Sequence, residues 1–169
     1  MGDAVVIRHP TLADEVEFLA AARRSRALHR PWTKPPTTPA QFRRYVARHD
    51  GERHFAWLVC MRNGGAIAGV INVSEIVRGS FHSAYLGYYV FAGFERRGVM
   101  RAGLRAVVRH AFRTAKLHRL EANIQPGNRP SKALVNKLGF CREGFSPRYL
   151  KIAGRWRDHE RWAILSENW

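Results

Sequence analysis

Along the chain the spacing of apolar residues changes period several times, and each change marks a predicted element. Val5-Val6-Ile7-Arg8 reads as a short strand that Pro10 ends. Thr11 then opens a predicted helix over residues 12 to about 28. Asp14 stands three positions on, as in a capping box, and Leu12, Val16, Leu19 and Ala20 fall on one face. Pro31, Pro35 and Pro36 break this helix. Thr38-Pro39-Ala40-Gln41 is a second start signal, with a cap, a proline at the first helical position and a glutamine able to reach back. It predicts a helix to about residue 49.

Residues 54 to 62 are rich in aromatic and branched side chains, and Asn63-Gly64-Gly65 is a hairpin turn into 66 to 77, which predicts two antiparallel strands. Arg78-Gly79-Ser80 turns the chain into a strand over 83 to 90. Leu104, Val107, Val108, Ala111 and Phe112 then keep helical spacing inside 99 to about 116, and 119 to 125 returns to strand. After the turn Pro126-Gly127-Asn128, a short helix over 131 to 138 ends at Gly139. Residues 140 to 165 close the chain as a hairpin around Ala153-Gly154. The order β, α, α, β, β, β, α, β, α, β, β implies an α/β architecture with one mixed sheet.

At 169 residues, 46% of them hydrophobic, the chain suits one compact domain spanning 1–169. No stretch approaches the roughly 18 apolar residues of a membrane span, and the first residues lack a signal peptide's basic and apolar regions, so a cytoplasmic protein without a membrane partner is expected. Cys60 and Cys141 read as reduced thiols, and the 8 histidines are scattered and never fall in an H-x-x-x-H arrangement, so no metal is expected. The 29 Lys+Arg against 13 Asp+Glu leave a net charge of +16, spread along the chain. Such a field attracts polyanions such as rRNA, or a small polyphosphate; a basic surface with no specific partner is the plain alternative.

Candidate chemistry gathers at Phe91-Ala92-Gly93-Phe94-Glu95-Arg96-Arg97-Gly98-Val99-Met100, between a strand and the longest helix. A loop wrapping onto a helix start offers unpaired N–H groups and the positive end of the helix dipole, which suit a pyrophosphate. Arg96 and Arg97 add charge there.

With Asn128-Arg129-Pro130-Ser131 and Lys137-Leu138-Gly139-Phe140 downstream, this strand, loop, helix, strand unit resembles the coenzyme A core of GNAT acetyltransferases. Leu86-Gly87-Tyr88 and the run Tyr149-Leu150-Lys151-Ile152-Ala153-Gly154-Arg155-Trp156-Arg157-Asp158-His159 further resemble the RimJ/RimL branch, so the likeness covers roughly 5–169. It implies the GNAT fold, a mixed sheet flanked by helices with two splayed parallel strands around the acetyl-CoA arm. It also implies that Tyr89 and Val90 offer backbone groups to the pantetheine, that Arg96, Arg97, Gly98, Val99 and Met100 hold the pyrophosphate, and that Asn128 binds the pantetheine with Ser131 near the sulfur. The family's loop usually reads Gln/Arg-x-x-Gly-x-Gly/Ala; here Gly93 and Arg96 stand at the first two of those positions.

The resemblance further implies acetyl transfer from acetyl-CoA to an amine, with Ser131 protonating the leaving thiolate. Leu150 and Tyr85 occupy positions where relatives carry a carboxylate base, which leaves Asp158, His159 and Glu160 as candidates. On a strand these three alternate faces, and Asp158 has an alternative role as an ion-pair partner of Arg155 or Arg157. A free α-amine, with a pKa near 7.7 to 8.0, is roughly a tenth neutral at pH 7, against roughly 0.04% for a lysine. The missing base therefore favours an α-amine, and the resemblance implies the N-terminus of a protein such as a ribosomal protein as acceptor. The alternatives are a small amine such as an antibiotic or polyamine, and a ribosome- or RNA-associated binding module with little activity.

Overall fold

A computed structural model describes residues 5–30 and 32–169, so Pro31 lies outside the described residues. Seven strands form one mixed sheet in the order β1-β2-β3-β4-β5-β7-β6. They are β1 (Val5–Arg8), β2 (Phe55–Met61), β3 (Ile67–Val77), β4 (Ser83–Val90), β5 (Arg119–Ile124), β6 (Cys141–Ile152) and β7 (Arg155–Leu165). The helices are α1 (Glu15–Arg24), α2 (Arg26–His29), α3 (Pro39–Ala47), α4 (Val99–Arg113) and α5 (Arg129–Asn136). All neighbouring strands are antiparallel except β4 and β5.

An apolar core covers each face of the sheet. On one, α4 lays Leu104, Val107 and Val108 against Val59, Ile71, Leu120 and Ile164. The helix can sit this close because residue 103 is glycine: a Cβ there would meet Val59 Cγ2 at 2.7 Å. On the other face, Phe18, Leu19 and Phe42 from α1 and α3 cover Leu58, Ile67, Val70 and Phe91. Truncating a fully buried leucine such as Leu104 or Leu58 to alanine costs about 2–5 kcal/mol.

The sequence predicts one helix over 12 to about 28, and the structure divides that stretch. Leu12–Asp14 form a 3-10 turn, in which Asp14 accepts a 2.7 Å bond from the Thr11 N–H, and α1 is separated from α2 at Ser25. The Ser25 hydroxyl bonds back to the Ala21 carbonyl at 2.7 Å, the local competition that interrupts helices. The buried face also differs from the expected one. Leu12 is 60% exposed and Val16 82%, whereas Phe18, Leu19, Ala21 and Ala22 are buried. At α3, Thr38 caps the Gln41 N–H at 3.3 Å, and the glutamine side chain reaches back to the Thr37 N–H at 2.9 Å.

Candidate functional site

The site begins where β4 and β5 part. Their parallel ladder joins Ser83 to Arg119, Ala84 to Leu120 and Tyr85 to Glu121, and no pairing follows. Beyond it β4 continues to Val90 along β3, and β5 continues to Ile124 along β7. Each strand keeps its outer partner, so a gap opens between Leu86–Val90 on one side and Ala122–Ile124 on the other. Phe91 N donates to Ala68 O on β3 at 2.8 Å. Alternation along the strand then turns the Tyr89 amide toward β3 as well, and leaves Tyr88 and Val90 as the residues whose amides face the gap. The Tyr89 side chain is buried among His29 and Phe91.

The Val90 end of β4 is held from α1 and α2. His29, 4% exposed, donates from Nε2 to the Val90 carbonyl at 2.6 Å, and Ser25, 1% exposed, accepts from the Ala92 N–H at 2.8 Å. Burial lowers the His29 pKa and keeps the ring neutral. These two bonds replace part of the strand pairing that the gap removes. Neither residue was legible as functional in the sequence, because each contact spans more than 60 residues.

Past Ala92 the chain forms the loop onto α4. Gly93, Arg96 and Gly98 take the left-handed conformation, with φ of 95°, 60° and 76°. Arg96 thus takes a backbone shape that glycine adopts without strain, at a cost of order 1 kcal/mol. Arg97 Nη1 donates to Gly93 O at 3.2 Å and its guanidinium lies 5.5 Å from the Phe94 ring, so it packs along the loop. Glu95 accepts from Gly93 N at 2.6 Å. Gly98 is the N-cap of α4 and supplies no side-chain bond, and no acidic residue lies in the first turn. The first helical bond runs from Ala102 N to Gly98 O at 3.1 Å, so the N–H groups of Val99, Met100 and Arg101 precede the helical ladder. The Val99 and Met100 side chains are core, and these residues face the loop with backbone alone.

Across the gap, α5 begins at Asn128, whose Oδ1 accepts from Ser131 N at 3.3 Å. Asn128 is therefore the cap, and the Ser131 hydroxyl is left to meet the Tyr88 hydroxyl at 2.7 Å. Burial raises the Tyr88 pKa, so this phenol stays protonated at neutral pH. Tyr88 was visible only as part of a motif; its role as the partner of Ser131 depends on β4 facing α5.

β7 separates the three base candidates as alternation requires. Glu160 is buried and receives Lys132 Nζ at 3.1 Å, Arg142 Nε at 3.4 Å and Trp162 Nε1 at 3.2 Å, which commits it to structure. His159 is 2% exposed, its Nδ1 donates to Arg157 O at 2.9 Å, and burial lowers its pKa. Asp158 is exposed, and Oδ1 accepts the Arg148 N–H at 2.8 Å. Its structural partner is therefore a backbone amide of the irregular stretch of β6, where Arg148 has a φ of 47°, and neither Arg155 nor Arg157. Asp158 also lines a cleft of about 270 Å³ with Trp32, Gln125, Gly127 and Trp156, beside the open end of β5.

Comparison with known proteins places the chain's family and fold. Over 103 residues the chain is 44% identical to the [ribosomal protein uS5]-alanine N-acetyltransferase of Escherichia coli (strain K12), covering 61% of this chain and 53% of that protein. It thus spans about half the length of that curated relative. The ribosomal-protein-S5-alanine acetyltransferase structure from Vibrio fischeri superposes with a TM-score of 0.88 at 26% identity, covering 100% of this chain and 97% of that one. Mycobacterium smegmatis RimJ in complex with CoA-disulfide gives the same TM-score and identity, covering 96% and 82%. Residues 4–141 match the Acetyltransferase (GNAT) domain, and the chain belongs to that family.

Proposed function

We propose that the protein transfers acetyl from acetyl-CoA to the N-terminal α-amine of a ribosomal protein. The observation that carries this reading is the uncapped start of α4, with free N–H groups and Arg96 and Arg97 beside it, at the end of a strand that has parted from its neighbour. The residues fit the cofactor: a Cβ at Gly98 would meet no atom within 4 Å, leaving room over the helix start. Bound there, acetyl-CoA supplies an acetyl group already activated as a thioester. The amides of residues 97 to 101 and the two arginines hold phosphate oxygens, and Asn128 orients the pantetheine arm. The Val90 N–H stabilises the carbonyl oxygen as charge develops on it. Ser131 passes a proton to the departing thiolate and regains one from the amine nitrogen, which must lose it as the amide forms, while the Tyr88 hydroxyl holds the Ser131 hydroxyl in place. Asp158 attracts the acceptor's ammonium into the cleft and takes its proton through water. The relatives named for ribosomal-protein alanine acetylation support the choice of acceptor.

A screen with acetyl-CoA against N-terminal peptides, lysine peptides and small amines tests the reading. Acetylation of α-amines is expected to dominate; turnover confined to lysines or polyamines would replace it.

A ribosome-facing role draws support from a second observation. Arg101, Arg105, Arg109 and Arg113 recur at every fourth position of α4, all exposed, and the helix contains no acidic residue. Among the described residues none of the four pairs with a carboxylate. Like charges at this spacing cost about 0.2–0.5 kcal/mol per pair, a penalty that an RNA backbone would relieve. Replacing Arg105, Arg109 and Arg113 by glutamine is expected to flatten the salt dependence of ribosome co-sedimentation by about 0.7–0.9 in log-log slope per lost contact. An unchanged slope would leave the stripe as a solvated face.

A further inference from the structure

The face of the sheet opposite α4 holds a feature that the transfer chemistry does not use. Between the ends of β3, β4 and β5 lies a cleft of about 170 Å³. Its apolar walls are Val77, Phe81 and Tyr85, which are 48%, 68% and 40% exposed and so form a patch of large side chains open to solvent. Its polar lining includes Glu75, Glu121 and Arg119. Arg119 is engaged by Glu121 at 2.9 Å and by Glu143. Glu75 has no ion pair among the described residues. On a chain with a net charge of +16 and only 13 acidic residues, a lone carboxylate beside exposed aromatic rings is the reverse of the general surface.

Local backbone geometry aims Glu75 there. The β3–β4 register shifts between Ser74 and Val77, and Glu75 within that bulge has a φ of 51°. Bulges re-aim side chains, and a non-glycine residue held in the left-handed region costs of order 1 kcal/mol that the surrounding structure must supply. Tyr85 meets the Tyr149 hydroxyl at 3.5 Å, which with burial and the nearby Glu121 charge pushes its phenol up to about 12, so it stays uncharged. Along β4, Tyr85 is the last residue paired to β5. Gly87 follows on the same face, exposed, with nothing within 4 Å of where a Cβ would lie. Gly87 therefore leaves open space on this face between the cleft and the start of the gap. From Tyr85 to Val90 it is about 17 Å, the length of about five extended residues.

We propose that this cleft binds a cationic side chain of the acceptor, a lysine or arginine about five residues after the α-amine being acetylated. The inference rests on the peptide-acceptor reading above. The ammonium or guanidinium meets the Glu75 carboxylate, and its stem and charge lie against the Phe81 and Tyr85 rings.

The test uses the full chain saturated with coenzyme A and two labelled peptides with free N-terminal alanine. The two differ only in lysine or alanine about five residues along. Anisotropy is expected to show the lysine peptide binding about 5- to 10-fold tighter, the combined scale of one exposed ion pair and one cation–π contact. In Glu75→Gln the lysine preference should fall to about 2-fold, the share left to the aromatic rings, and in Glu75→Lys a glutamate peptide should become the better ligand. Equal binding of both peptides to the unaltered protein, or a lysine preference undiminished in Glu75→Gln, overturns the proposal. Lysine-selective binding without acetylation of any peptide would leave the cleft assigned and overturn the acetyl-transfer reading instead.

Discussion

Two helices start at the mouth of the gap, and they are built in opposite ways. At α5 the chain meets its own needs: Asn128 caps the Ser131 N–H, and a proline in the first turn removes another donor. At α4 the cap position is a glycine, the first turn has neither proline nor acid, and the amides point outward with cations beside them. A self-satisfied start can present a side chain, and at α5 it presents the Ser131 hydroxyl to Tyr88. An unsatisfied start can present only its backbone, so it needs an anion from outside. The contrast teaches how, on the proposed mechanism, the two starts divide the work: α4 would hold the cofactor's charge and α5 would handle a proton.

Giving α4 what α5 already has should break the contrast most severely. Gly98→Asp places a carboxylate over the free amides, in a left-handed position that aspartate tolerates better than most residues. Loss of about two charge-assisted hydrogen bonds predicts coenzyme A binding weaker by about 10³-fold in calorimetry. Unchanged affinity would mean that the phosphates sit elsewhere.

The proton role of α5 predicts the next largest effect. Ser131→Ala should lower kcat by roughly 10²-fold with acetyl-CoA affinity nearly constant, the pattern of an interaction made mainly in the transition state. Titration of acetyl-CoA in both proteins with one confirmed peptide reads this out, and a constant kcat would remove Ser131 from the chemistry.

Removing the α5 cap itself is a milder change. Asn128→Ala should cost about 1 kcal/mol of stability, a fall of roughly 2–4 °C in Tm for a chain of this size. A thermal melt showing no change would mean that the cap bond contributes nothing to α5.

The smallest effect concerns the clamp that keeps β4 in line with both helices. His29 has its folded pKa lowered by burial from an ordinary 6.5, so below about pH 6.5 the unfolded chain binds the proton first. Its contribution is full above that pH and is lost as pH falls through the window below it. Melts from pH 7.5 to 5 should show Tm declining, with a shallower decline in His29→Asn; identical slopes would mean that His29 is not the group responsible.

Local signals in the sequence recovered what local physics decides. Thr38-Pro39 starts α3, the spacing of Leu104, Val107 and Val108 sets the buried face of α4, and Ala153-Gly154 with φ of 48° and 81° turns β6 into β7. The α1 face was misread because Leu12 and Val16 fit the period yet lie toward solvent, while the sheet selects Phe18, Ala21 and Ala22. The Ser25 break, the His29 contact and the sorting of Asp158, His159 and Glu160 rest on tertiary partners that no window of the sequence contains. Strand alternation stated that the last three must part; that His159 and Glu160 are both buried, on opposite faces, while Asp158 is exposed depends on what packs around β7.

The gap exists only because β5 has another neighbour to hold it, and that neighbour is β7, the last strand in the chain. During synthesis every part of α4 and β4 is available while β5 still lacks its outer partner. At about 5–20 residues per second, the roughly 30 residues from Ile124 to Arg155 add a few seconds during which β5 can pair only with β4. A ladder that zipped fully in that interval would close the gap before β7 arrived to draw β5 away. Ser25 and His29 emerge far earlier, so the bonds that hold the end of β4 can form as soon as Val90 and Ala92 are available. Such an order of emergence would protect the opening that the finished fold requires.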